Sequence, residues 1–144
     1  MQLLVDIVVK GGNLLLNIGP APDGTWPEGA YSLLEDMGRW MKVNSEAIYG
    51  TRPVVPYKEG QVAFTQKDNT VYVIYLTNIE GEGLPEKVSF SKLKPEQGSK
   101  VYLLGYKQAL NWATTENGVT TVMVPAKAVK MPPCKHAYVF KFVK

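Results

Sequence analysis

Thiols and imidazoles are almost absent from this sequence: 144 residues contain one cysteine and one histidine. A lone Cys134 permits no intrachain disulfide, and one Cys with one His excludes metal sites of the Cys/His type, so neither metal nor cofactor is expected. Cys134 stands in Met131-Pro132-Pro133-Cys134-Lys135 with no histidine base at catalytic spacing, which predicts a small buried side chain rather than a nucleophile. Long apolar runs are missing too. Residues 1–10 are apolar but contain Asp6, lack a basic start and lead to no small-residue cleavage site, so they read as neither a signal peptide nor a membrane span. A strong excess of one charge is also lacking: a net +3 is too weak to imply a nucleic-acid partner.

What is present is an ordinary globular composition. Hydrophobic residues make up 45% and charged residues 20%, enough apolar material for a core. The charge is unevenly spread. Residues 1–50 hold three Lys or Arg against six Asp or Glu, whereas residues 51–144 hold thirteen against seven, so the two parts read as different structural units. Lys87, Lys92, Lys94, Lys100 and Lys107 are scattered through the second part as on a solvated strand face that discourages edge pairing.

In the first part, Leu3, Leu4, Ile7 and Val8 recur at helical spacing and Gly11-Gly12 follows them as a C-cap would. Residues 13–18, Asn-Leu-Leu-Leu-Asn-Ile, have the profile of a parallel strand buried on both faces. Alternation places Leu14, Leu16 and Ile18 on one side and Asn13, Leu15 and Asn17 on the other. Turn formers fill residues 19–24, then Thr25-Trp26-Pro27-Glu28 has capping-box spacing. The helix predicted from there has Ala30, Leu33, Leu34, Met37, Trp40 and Met41 on its core face.

After Thr51-Arg52-Pro53 the period changes to that of strands. The expected strands are 62–66, 70–77, 87–93, 100–104, 110–113, 119–124 and 137–143, with hairpin turns at Asp68-Asn69 and Asn117-Gly118. Seven short strands predict an antiparallel two-sheet sandwich. The fold class is thus mainly β with an α/β N-terminal appendage, divided at residues 1–53 and 54–144.

The ordered series Val9-Lys10-Gly11-Gly12-Asn13-Leu14-Leu15-Leu16-Asn17-Ile18-Gly19-Pro20, Asp23-Gly24-Thr25, Pro27-Glu28, Trp40, Val43-Asn44 and residues 46–53 resembles the end of the catalytic barrel of α-L-fucosidases of glycoside hydrolase family 29. The likeness continues more loosely through Phe64-Thr65-Gln66-Lys67, Val101-Tyr102-Leu103-Leu104-Gly105, Leu110-Asn111-Trp112 and Ala137-Tyr138-Val139-Phe140, which resemble the family's C-terminal β-sandwich. It implies the last βα unit of a (β/α)8 barrel followed by that sandwich. A whole barrel needs about 250 residues. The resemblance also implies a parent enzyme that hydrolyses terminal α-L-fucosyl residues with retention, through two carboxylates about 5 Å apart. In the family both come from barrel segments upstream of residue 1, so no catalytic residue is expected in this chain and the chain alone is expected to be inactive. The family further implies a secreted, periplasmic or lysosomal parent with any signal upstream; the compartment of this chain stays open.

The carboxylates here suggest no independent pair. Glu80 and Glu82 fall in a flexible turn, Glu35 and Asp36 are adjacent helix positions pointing in different directions, and Asp23 is a turn former. Two residues are singled out as substrate-proximal in the parent barrel. Asn17 lies at the C-terminal end of the expected strand, where barrel chemistry gathers, with structural hydrogen bonding as its alternative. Trp26 borders the same rim and could stack on a sugar or serve as a hydrophobic staple. Trp112, Tyr72, Tyr75 and Tyr138 read as sandwich core or sheet edge. The expected partners are a fucosylated glycan through the complete enzyme, and either the missing barrel portion or a second copy bound through residues 1–50, giving a homodimer; no nucleic acid and no membrane are expected. A stand-alone carbohydrate-binding or interaction module is the alternative function.

Overall fold

The computed structural model describes residues 1–78 and 82–144. Among these residues three helices and nine strands follow in the order α1 (Gln2–Val9), α2 (Glu28–Asn44), β1 (Arg52–Glu59), β2 (Val62–Lys67), β3 (Thr70–Leu76), β4 (Lys87–Phe90), β5 (Val101–Leu103), β6 (Ala109–Leu110), β7 (Trp112–Thr114), β8 (Thr120–Met123), α3 (Ala126–Lys130) and β9 (Ala137–Val143). A 3-10 turn, Ser45–Ala47, extends α2. A six-stranded sheet of order β1-β2-β3-β9-β5-β6 faces a three-stranded sheet of order β4-β8-β7, and every pairing is antiparallel.

The period of two explains how one sheet serves two cores. On β2, β3 and β9 the residues Phe64, Val71, Val73, Phe140 and Phe142 face the small sheet, where they meet Val88, Phe90 and Val122. Their alternates Ala63, Tyr72, Ile74, Leu76 and Val139 face the opposite way, onto Val5, Val9, Trp40, Ala47 and Ile48. The large sheet is therefore covered on both sides, which is why β3 reads as an unbroken apolar run. Within the inter-sheet core Phe90 stacks on Phe142 at 6.0 Å and meets Phe64 edge-on at 6.1 Å, both favoured aromatic geometries.

Two expected hairpins form with different loops. Lys67 pairs with Thr70 across Asp68-Asn69, with Asp68 at φ 51. At Asn117-Gly118 the turn is not the two-residue kind. Thr115 and Val119 are bonded and enclose three residues, with Gly118 at φ 80 supplying the left-handed position. The expected strand 110–113 is in fact two: Leu110 pairs with Val101 in the large sheet, while Trp112 pairs with Val122 in the small one. The chain changes sheets at Asn111, so one apolar alternation serves both. Two elements went unexpected. β1 contains Pro53 and Pro56, which argue against a central strand but are tolerated at an edge, where β1 lies. The single turn and a bit of α3 is too short to show a period.

A carboxylate ties the two sheets together at the end of β1. Glu59 accepts from the backbone N–H of Ser91 at 3.0 and 3.1 Å, from the Ser91 hydroxyl at 2.7 Å and from the Lys92 N–H at 3.3 Å. Desolvation would raise its pKa, but these donors together outweigh it and hold the carboxyl below the ordinary glutamate value. A carboxyl with a depressed folded pKa stabilises the fold at pH values above its unfolded pKa, and that contribution is lost as pH falls through the folded value. Glu59→Ala is expected to cost about 1–2 kcal/mol near neutrality, a charge-assisted cluster's worth. Urea melts compared across pH should show the variant and the parent converging in acid.

Candidate functional site

The helical layer is built from its caps outward. α1 ends in a Schellman motif: Gly11 N–H bonds to the Val8 carbonyl and Gly12 N–H to that of Ile7, both at 2.9 Å, with Gly11 at φ 86. This turns the chain out into residues 13–18. The alternation predicted for them is kept only in part: Leu14 and Ile18 are half-buried and Leu15 is 82% exposed, but Leu16 is 41% exposed, and Asn13 lines the same groove of about 510 Å³ as Leu14, Leu16, Leu4, Met37 and Met41. The expected strand does not form. Residues 13–18 belong to no sheet, and among the described residues their backbone makes no hydrogen bond. A ladder needs a second strand about 4.8 Å away, and parallel pairing needs a crossover to bring it; the strands of this chain are all committed to the sandwich.

The capping box expected at residues 25–28 is replaced by an Asx turn. Asp23 Oδ1 accepts from the Thr25 N–H at 3.0 Å and the Thr25 hydroxyl at 2.7 Å, so Thr25 is engaged before the helix begins and Pro27 takes the N-cap position. Trp26 and Tyr31 then pack ring to ring at 5.7 Å, one residue before the cap and four into the helix, which is a hydrophobic staple. Of the six residues expected on the core face, Trp40 is fully buried, but Leu33 is 53% exposed. The N-terminal half of α2 projects past the sheet. Only its C-terminal half has something to pack on.

That half, the 3-10 turn after it and α1 are tied to the sheet by polar contacts as well as burial. Trp40 Nε1 donates to the Ala137 carbonyl at 2.9 Å, the Thr65 hydroxyl donates to the Ala47 carbonyl at 2.8 Å, and Gln2 Nε2 reaches the Thr77 carbonyl at 2.6 Å. Glu46 takes Lys141 Nζ at 2.9 Å and the Tyr72 hydroxyl at 3.3 Å. Desolvation first, and then the Glu46 charge, push the Tyr72 phenol up to about 12. These anchors lie 18 to 97 residues from their partners, and nothing local in the sequence signals them. Cys134 is half-buried rather than buried: its thiol donates to the Ala137 carbonyl at 3.2 Å and receives Asn44 Nδ2 at 3.4 Å, and desolvation raises its pKa.

The family model described as α-L-fucosidase C-terminal domain matches residues 57–143, and the one described as α-L-fucosidase matches residues 1–46. The chain belongs to the α-L-fucosidases. It is 37% identical to the plasma α-L-fucosidase of Homo sapiens over 94% of its length, and 31% identical to an α-L-fucosidase of Branchiostoma floridae over 98%. Those relatives are matched over 29% and 31% of their own length, so the chain spans about a third of each. In structure it is similar to the α-fucosidase of Thermotoga maritima in complex with fucose, with a TM-score of 0.79 at 31% identity, covering 99% of this chain and 34% of that one. A fucosynthase from the same organism gives 0.80, with 99% and 32% covered.

Measured against the acid–base chemistry of glycosidases, seven carboxylates of this chain are already engaged. Asp6 pairs with Lys10 at 2.7 Å, Asp23 with Thr25, Glu46 with Lys141, and Glu59 with Ser91. Glu35 and Asp36, expected to diverge, both reach the Arg39 guanidinium, at 3.4 and 2.6 Å, because offsets of four and three share one helix face. Glu82 is fixed rather than loose, accepting from the Asn78 N–H at 2.7 Å and the Tyr75 hydroxyl at 3.4 Å; Glu80 lies outside the described residues. Among the described residues no group of three or more His, Cys, Asp or Glu could hold a metal ion. Asn17 is exposed beside the groove without lining it, and Trp26 is 43% exposed above its staple. Tyr72, Tyr75 and Tyr138 are buried, and Trp112 spends its indole N–H on the Ser99 carbonyl at 2.8 Å. What this chain presents outward is the apolar face around residues 13–18 and the free half of α2.

Proposed function

We propose that these 144 residues are the non-catalytic C-terminal part of a retaining α-L-fucosidase, in which residues 54–144 form a sandwich that buttresses the end of a catalytic barrel contributed by residues 1–53. The parent reaction is hydrolysis of terminal α-L-fucosyl residues from glycans. The observation that carries the reading is residues 13–18: a mostly apolar segment whose backbone makes no hydrogen bond among the described residues, leading into a helix docked on the sandwich. Such a segment suits a barrel strand awaiting neighbours on both edges. Asn17 and Trp26 then belong to the rim on the substrate side. The purified chain should release no aglycone from an aryl α-L-fucoside above the buffer rate. Saturable turnover by these residues alone would overturn the reading, and glycan binding abolished by Trp26→Ala would favour a stand-alone module.

The open face takes up the remaining barrel segments or, without them, a second copy of this chain. Burying a Leu or Ile side chain is worth about 1.5–3 kcal/mol, and pairing satisfies backbone groups that folding back leaves open. Light scattering over a dilution series should show a dimer that dissociates, and Leu16→Lys should leave a monomer throughout. A monomer at every concentration for the parent chain would remove self-association.

A further inference from the structure

A separate hollow of about 650 Å³ lies between the C-terminal half of α2 and the loop that leads into β9. Pro132 and Pro133 form an apolar wall, and the rim carries charge from both elements. Asp36 Oδ1 accepts from Arg39 at 2.6 Å, and Asp36 Oδ2 lies 3.8 Å from His136 Nε2. The Arg39 hydrogen bond first, then the Arg39, His136 and Lys135 charges, keep the Asp36 carboxyl below its ordinary value. Three groups that carry or can take a positive charge thus surround one carboxylate. Arg39 shares its charge with Glu35 as well, but among the described residues no carboxylate lies within 4.0 Å of the Lys135 ammonium. His136 holds φ 72, a conformation uncommon for a non-glycine residue, and its ring faces the same carboxylate.

From this geometry we infer that the hollow is a binding site for an anionic sugar, whose sulfate or carboxylate is taken by Lys135 and His136 beside Arg39 while its apolar edge rests on Pro132 and Pro133. The volume falls in the range of small-ligand sites, roughly 300–1,000 Å³. Asp36 is the internal competitor for the same cations. Lys135 and His136 line the hollow side by side from the loop that leads into β9. The groups facing that imidazole are Asp36 and Arg39 from α2, with Lys135 and the Cys134 thiol from its own loop. That the ligand is a sugar rests on the fucosidase reading; that it is an anion rests on the rim alone.

The full chain is titrated by calorimetry at low salt with galactose 6-sulfate, glucuronate and neutral galactose. The charged sugars should bind and galactose should not, with the tighter arm identifying sulfate or carboxylate as the group. Lys135→Ala should weaken binding about tenfold, the loss of one charge-assisted contact. Asp36→Asn should tighten it several-fold. His136→Gly, which keeps the backbone because glycine takes that φ freely, should weaken binding of both charged sugars. Equal binding of galactose, no binding of either charged sugar, or affinities indifferent to Lys135→Ala and Asp36→Asn would overturn the site. None of these readouts involves fucoside turnover, so the site and the fucosidase reading fail separately.

Discussion

Trp40→Ala is expected to lower the stability of the chain by about 4 kcal/mol, the middle of the range for emptying a buried aromatic position. Trp40 is 1% exposed and its ring contributes to the core between α2 and the outer face of the large sheet. The substitution also leaves the Ala137 carbonyl without its indole donor. Loss of packing and loss of a hydrogen bond act on the same joint. The consequence reaches beyond a shifted melting point, because Tyr72, Ile74, Leu76 and Val139 lie beneath the same layer and would meet water if it lifted. Chemical denaturation should show the lower midpoint, together with dye binding to exposed apolar surface at denaturant concentrations where the parent chain binds none. Trp40→Phe keeps most of the volume and should recover more than half of the loss.

Gly105→Ala should cost about 3 kcal/mol, from two separate causes. Gly105 follows β5 with φ 80, where a side chain is disfavoured whatever the space. A Cβ there would also stand 2.6 Å from Pro133 Cβ and 2.9 Å from Val43 Cγ1, so the proline loop and α2 would have to give way together. Gly118 separates the two causes, since it has the same φ of 80 with nothing within 4 Å of its Cβ position. Gly118→Ala should cost only about 1 kcal/mol, the conformational part alone. Equal thermal shifts for the two variants would show that the crowding around Gly105 is relieved at no cost.

The sandwich was legible because period-two alternation and turn residues are local signals. They placed β2, β3 and β9 within a residue or so, and they announced both hairpins. What they could not announce is pairing. Residues 13–18 have the composition of a buried parallel strand, but a strand exists only through its neighbours, and a stretch of sequence carries no statement about who they are. β1 was hidden for the opposite reason: two prolines veto a strand locally, while an edge position makes them harmless. The same division runs through the candidate site. Asn17 and Trp26 are read from local pattern, whereas the Glu46–Lys141 pair and the Trp40–Ala137 bond join residues 95 and 97 apart. Thr25 illustrates how two local signals compete: its spacing to Glu28 suggests a capping box, yet Asp23 two residues earlier captures it first.

The claim that the sandwich carries a docked helical layer while residues 13–18 wait for strand partners is tested most directly by native-state amide hydrogen exchange on the purified chain, at a concentration low enough to keep it monomeric. Amides of residues 5–9 and 40–44 should exchange as slowly as those of β3 and β9, because all of them open only when the shared core opens. Amides of residues 13–18 should exchange at close to the rate of an unstructured peptide. Protection of residues 13–18 in the monomer, or helices that exchange orders of magnitude faster than the sheet beneath them, would contradict the account.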